Sequence, residues 1–136
     1  HSRVDCGTTY LVDDERFAFV YFPWAPAFAT FDRGAQQELE RLRSTDGPLA
    51  ARDDRDDLIH CSTVPWFAFT SISHARRLAR PDDAVPKFVF GKCEPRGEGL
   101  VMPVAVEVHH ALMDGVHVAR FLERLQHLFT DRDTLA

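Results

Sequence analysis

Hydrophobic and polar positions alternate most strictly toward the C-terminal end of the chain. From Met102 onward, Met102, Val104, Val106, Val108 and His110 fall on one side of a period-two strand, and Ala105, Glu107 and His109 on the other. The period then changes: Val118, Phe121, Leu122, Leu125 and Phe129 recur at helical spacing. Between the two patterns Asp114 stands at an N-cap position, with Gly115 beside it to let the chain turn. The pattern predicts strand, turn and helix, with His110 closing the apolar strand face. An imidazole there is expected to be partly desolvated, which lowers its pKa and keeps it neutral, the state a general base needs.

Earlier in the chain, Thr8 to Val12 and Phe17 to Phe22 are β-branched or aromatic runs, predicted as a hairpin across the polar turn Asp13 to Glu15. Pro23 and Pro26 end it. Phe28 to Leu42 reads as a helix with Phe31, Leu39 and Leu42 inward, and with Asp32 capping its more regular part. The polar stretch from Ser44 to Asp57, broken by Gly47 and Pro48, is a predicted surface loop. Strands are expected at Leu58 to Thr63, at Phe67 to Ile72 after a bend at Pro65, at Lys87 to Lys92 and at Leu100 to His109. His74 to Val85 reads as loop and Glu94 to Gly99 as a turn, so that the last two strands form a hairpin leading into the His110 turn. Strands interspersed with two long helices predict an α/β two-layer sandwich, a mixed sheet with helices on one side.

Composition changes this picture little. With 136 residues, 45% of them hydrophobic, the chain fits a single domain with a real core. No apolar run approaches the roughly 20 residues that span a bilayer, and a net charge of -5 argues against general affinity for nucleic acid or an anionic membrane. Cys6, Cys61 and Cys93 are widely spaced and in no metal pattern, as expected of buried thiols in a reducing cytoplasm. No metal is implied.

The pattern His110-x-x-x-Asp114-Gly115 is short, but its surroundings are longer. H-H-A-L-M-D-G-V-H-V-A-R-F-L-E-R-L-Q from His109, L-I-H-C-S-T-V-P-W-F-A-F-T-S from Leu58 to Ser71, and P-K-F-V-F-G-K from Pro86 to Lys92 together resemble the chloramphenicol acetyltransferase family, in its order and at about its spacing. The resemblance implies a CoA-dependent acyltransferase-like fold, acetyl-CoA as co-substrate, a small hydroxylated acceptor and a homotrimer with active sites at subunit interfaces. Against the family pattern the chain, which opens on His1, begins late, and residues 1–136 are expected to be a domain lacking an N-terminal portion.

Acetyl transfer from a thioester to a hydroxyl needs a base for the hydroxyl proton and a donor for the tetrahedral oxyanion. On the strand pattern alone His110 reads rather as a core histidine holding the strand end by a hydrogen bond; the resemblance implies the base. It implies Ser62, before Pro65 and Trp66, as the oxyanion donor, with Thr70 and Ser71 as local competitors. Asp114 invites a triad with His110, whereas the resemblance implies a structural role beside Gly115, paired to an arginine of the portion without counterpart here. His109 and His117 are read as structural. Lys92 is placed on the ribose phosphate of coenzyme A by the resemblance, and otherwise reads as a strand-end surface charge. Trp66 reads as core or pocket wall; Ile72 and His74 stand at pocket positions where the family shows larger apolar residues, and Val89 where it often has threonine. The competing readings are an acyltransferase for another hydroxylated acceptor and a truncated relative that only assembles. The acyltransferase core of 2-oxo acid dehydrogenase complexes shares the short motif but not the block before Pro65 and Trp66.

Overall fold

The computed structural model describes residues 1–14, 16–45, 55–74 and 84–131. Most of each predicted polar loop, at 46–54 and 75–83, lies outside them. Strands β1 (Asp5–Leu11) and β2 (Phe17–Phe22) form the predicted hairpin, and α1 (Phe28–Arg43) follows. Next come β3 (Leu58–Val64), β4 (Lys87–Gly91), the short β5 (Glu94–Arg96) and β6 (Gly99–Val101), β7 (Val104–Glu107) and α2 (Gly115–Thr130). Five strands make one mixed sheet in the order β2-β1-β3-β4-β7, parallel at β1·β3 and β3·β4 and antiparallel at both ends.

The register sets two adjacent rows of side chains across all five strands. Val20, Thr8, Cys61, Phe88 and Val106 are successive cross-strand partners. So are Tyr21, Gly7, His60, Lys87 and Glu107, one residue away on every strand. Because successive side chains on a strand point to opposite faces, the rows lie on opposite faces of the sheet. The apolar row carries the helices. On its side Ala18 and Val20 of β2 are buried with Leu42 of α1, and Tyr10, Val12 and Phe22 pack around them. Complete burial of a side chain such as Leu42 or Val20 is worth roughly 1.5–3 kcal/mol. At the other end the Phe88 ring meets Phe121 of α2 with centroids 4.8 Å apart. The polar row is thereby left to the face without helices. There Asp5 ties the sheet to its connections, accepting from the Trp24 amide at 2.9 Å and from Arg55 at 2.7 Å. These bonds hold its carboxyl below the ordinary value.

Several expectations are corrected. Asp32 caps nothing: α1 starts at Phe28 after Ala27, which offers no side-chain cap, so Asp32 comes too late to reach the unpaired N–H groups of the first turn. Phe67 to Ile72 is not a strand, despite its β-branched and aromatic content. Both edges of the preceding β3 are already taken by β1 and β4, and propensity without a pairing edge builds no ladder. Leu100 to His109 is broken into β6 and β7 by Pro103, which has no N–H to donate. β5 and β6 form their own two-stranded hairpin, turned at Gly97, whose φ of 61° favours glycine. In α2, Val118, Phe121 and Leu125 are half-buried as expected, whereas Leu122 and Phe129 are exposed. Cys93 is exposed, not a buried thiol.

Candidate active site

Ser62 sits in the middle of the sheet on the face away from the helices, at the wall of a cavity of about 250 Å³. Thr9, Phe19, His60, His74 and Lys87 line the same cavity. Strand parity explains the grouping: His60 and Ser62 are two apart on β3, and Ser62 stands opposite Val89 on β4. Val89 is fully buried and offers no hydroxyl to the site. The His60 imidazole lies over Gly7. A Cβ at that glycine would meet His60 Nδ1 at 3.0 Å and the Tyr21 ring at 3.1 Å, so the bare backbone of β1 makes room for the ring. Lys87 is only 8% exposed, and its Nζ donates to the Val85 carbonyl at 3.4 Å. His74 Nδ1 lies 3.6 Å from a Glu107 carboxylate oxygen. The neighbouring thiol of Cys61 is no rival nucleophile: its hydrogen bond to Cys6 and its burial both push its pKa upward and hold it protonated.

His110 occupies a different place. It lies past the end of β7 in a turn where the Leu112 and Met113 amides donate to the His109 carbonyl. His110 is exposed, not the closing residue of a buried face, because the strand ends at Glu107 and the turn lifts it off the sheet. Its Nδ1 is 3.3 Å from the Met113 carbonyl oxygen. A carbonyl can only accept, so this contact puts the proton on Nδ1 and leaves Nε2 with its lone pair. His109 Nδ1 accepts from the Ala111 amide at 3.3 Å, within the same turn.

Asp114 caps α2, its Oδ1 accepting from the Val116 amide at 3.2 Å. His117 completes a capping box from the third helical position: its Nδ1 lies 3.2 Å from the Asp114 amide and 2.8 Å from Oδ1. The carboxylate is thus engaged by its own helix, with an imidazole as a local partner that spacing alone did not reveal.

The structure brings Ser62 and His74 together and does not add His110, which is absent from the lining of their cavity. Trp66 and Ile72 do not line it either. Trp66 is 68% exposed on the turn after β3, not part of the core. Thr70 and Ser71 are exposed. Lys92 follows β4, half-exposed, with Nζ 3.6 Å from the Glu94 carboxylate. His60, Lys87 and Glu107 were missed. The available signal was parity, since His60 shares a strand face with Ser62 and Lys87 with Val89. Among the described residues no group of three or more His, Cys, Asp or Glu gathers as a metal site, and no helix is long and apolar enough to cross a membrane.

Comparison with known proteins gives a consistent picture. A family model described as chloramphenicol acetyltransferase matches residues 2–126. A chloramphenicol acetyltransferase of Streptomyces acrimycini is 33% identical over 125 residues, which are 91% of this chain and 56% of that protein. The chloramphenicol acetyltransferase of Campylobacter coli is 28% identical over 123 residues, 90% of this chain and 59% of that one. A solved chloramphenicol acetyltransferase structure shares the fold with a TM-score of 0.77 at 24% identity, over 91% of this chain and 60% of that chain. The chain therefore spans a little over half the length of the relatives it matches.

Proposed function

This chain belongs to the chloramphenicol acetyltransferase family, and from that premise we propose that it transfers an acetyl group from acetyl-CoA to a hydroxyl of chloramphenicol or a similar small acceptor. The observation that carries this reading is the contact of His110 Nδ1 with the Met113 carbonyl, which presents Nε2 as a base. In the proposed reaction Nε2 takes the acceptor's hydroxyl proton while the oxygen attacks the thioester carbonyl. The Ser62 hydroxyl donates to the tetrahedral oxyanion. Collapse expels the coenzyme A thiolate, which takes up the proton held by the imidazolium. Asp114 and Gly115 shape the turn that carries the base. Acetyl-CoA as co-substrate assigns the reaction to the cytoplasm.

The two halves of this machinery belong to adjacent subunits of a homotrimer in this reading. Apolar surface flanks each half: Leu112 and Val116 are 67% and 50% exposed beside His110, and Trp66 and Phe67 are 68% and 53% exposed after Ser62. Such surface is costly to leave in water and suits a subunit contact. The test is acetyl-CoA-dependent thiol release with chloramphenicol and a panel of hydroxylated acceptors. Acceptor-dependent release is expected; none with any acceptor would remove the reading.

Lys92 supplies a narrower prediction. An ammonium at the end of β4, tied only loosely to Glu94 at 3.6 Å, is suited to a phosphate as a point charge. Lys92→Ala is expected to raise the KM for acetyl-CoA by about tenfold, in keeping with a charged hydrogen bond. The KM for a truncated acetyl thioester lacking the ribose phosphate should stay unchanged. Equal effects on both donors would assign Lys92 to the fold instead.

A further inference from the structure

Two imidazoles hold the two ends of one peptide group. His110 Nδ1 lies 3.3 Å from the Met113 carbonyl oxygen, and the Asp114 amide donates to His117 Nδ1 at 3.2 Å. That carbonyl and that amide belong to the same planar unit, the peptide bond between Met113 and Asp114, so fixing its N–H fixes the direction of its C=O. A peptide whose N–H is bonded is also polarised, and its carbonyl accepts more strongly. His117 stands at the third position of α2. Phe121, four residues on and on the same side of the helix, packs its ring on Phe88 of β4. The turn is thereby tied to a helix seated on the sheet. Building on the acyl-transfer reading, we propose that His117 is a positioning residue for His110. It holds the Met113–Asp114 peptide so that the Met113 carbonyl keeps the His110 proton on Nδ1 and leaves the lone pair on Nε2.

The same His117 nitrogen is 2.8 Å from Asp114 Oδ1, and one ring nitrogen serves only one of these contacts at a time. Oδ1 already accepts from the Val116 amide at 3.2 Å. With the lone pair on His117 Nδ1, the Asp114 amide and the Asp114 carboxylate both have partners within the turn. With a proton there, the amide loses its acceptor. Acceptance from the amide is therefore the state that acts on His110. The His117 side chain is half-exposed, so water competes for the contact and the effect is that of a single hydrogen bond.

Thiol release and nitrogen NMR of the histidine rings test this together. His117→Ala is expected to lower kcat about three- to tenfold, the span of one net hydrogen bond, with both KM values little changed. In spectra of the neutral rings the His110 proton, held on Nδ1 in the unmodified protein, should be shared between Nδ1 and Nε2 in this variant. The variant should fold, because Asp114 Oδ1 still caps α2 through the Val116 amide. A glutamine at the third helical position can accept from the N-cap amide, so His117→Gln should recover most of the rate. Lysine can only donate: it reaches the carboxylate but cannot hold the amide. His117→Lys should therefore behave like the alanine variant, and it decides if that variant does not fold. A His110 proton that stays on Nδ1, an unchanged kcat, or recovery by lysine overturns the inference, while thiol release by the unmodified protein leaves acyl transfer standing. A proton that moves as expected in a protein releasing no thiol with any acceptor supports the positioning role and removes acyl transfer.

Discussion

His110→Ala is expected to lower turnover by about 10²–10⁴-fold, the range for loss of a general base, with the fold retained. The fold survives because the side chain is exposed and its contact with the Met113 carbonyl, at 3.3 Å, is a hydrogen bond worth about 1 kcal/mol net. The turn itself is held by the Leu112 and Met113 amides on the His109 carbonyl, which the substitution leaves in place. Circular dichroism and thermal unfolding should therefore be close to those of the unmodified protein while thiol release collapses. His109→Ala is the control. It removes an acceptor from the Ala111 amide and should cost stability more than catalysis. Near-normal turnover in a folded His110→Ala protein, together with an inactive His109→Ala, would reverse the assignment.

Ser62→Ala is expected to cost about 10²–10³-fold in kcat, or about 2.7–4 kcal/mol of transition-state stabilisation. The acceptor KM should move far less, because the hydroxyl is asked to meet charge that exists only after attack. A change confined to KM would make Ser62 a binding contact. The same two variants test the subunit arrangement, since His110 stands outside the cavity that Ser62 lines. In a closed trimer whose sites each take the base from one subunit and the serine from the next, a mixed trimer of the two variants regains one intact site. Equimolar mixing after dissociation and reassembly should then recover about a quarter of full activity from two inactive proteins. If mixing recovers nothing while each variant still trimerises, base and serine act within one chain.

Much of this was legible in the order of residues. β-branched and aromatic runs placed β1 and β2, alternation placed the strand that contains β7, and helical spacing placed α1 and α2, because such patterns are local consequences of backbone preference and of which face must be buried. The cap at Asp114 was also local: a short acceptor side chain ahead of an apolar period meets the unpaired N–H groups of a helix start. The sequence blocks around Ser62 and His110 carried the family resemblance by themselves. Where expectation failed, a local rule met a non-local constraint. Phe67 to Ile72 has strand composition but no free edge beside β3, and Trp66 has a core residue's size but an exposed place on a turn.

Tertiary structure alone decided who stands beside whom. Parity says that His60 and Ser62 share a face of β3, yet it cannot say that Gly7 lies on one side of His60 and Lys87 on the other. That depends on the order β2-β1-β3-β4-β7 and on the register of each pair, both fixed by contacts between segments far apart in the chain. For the same reason the sequence named Ser62 and His110 as partners in one reaction, whereas the fold set Ser62 in the cavity wall at mid-sheet and His110 on a turn outside it. Residue type and spacing determine what each group can do; the pairing of distant strands determines which groups can do it together.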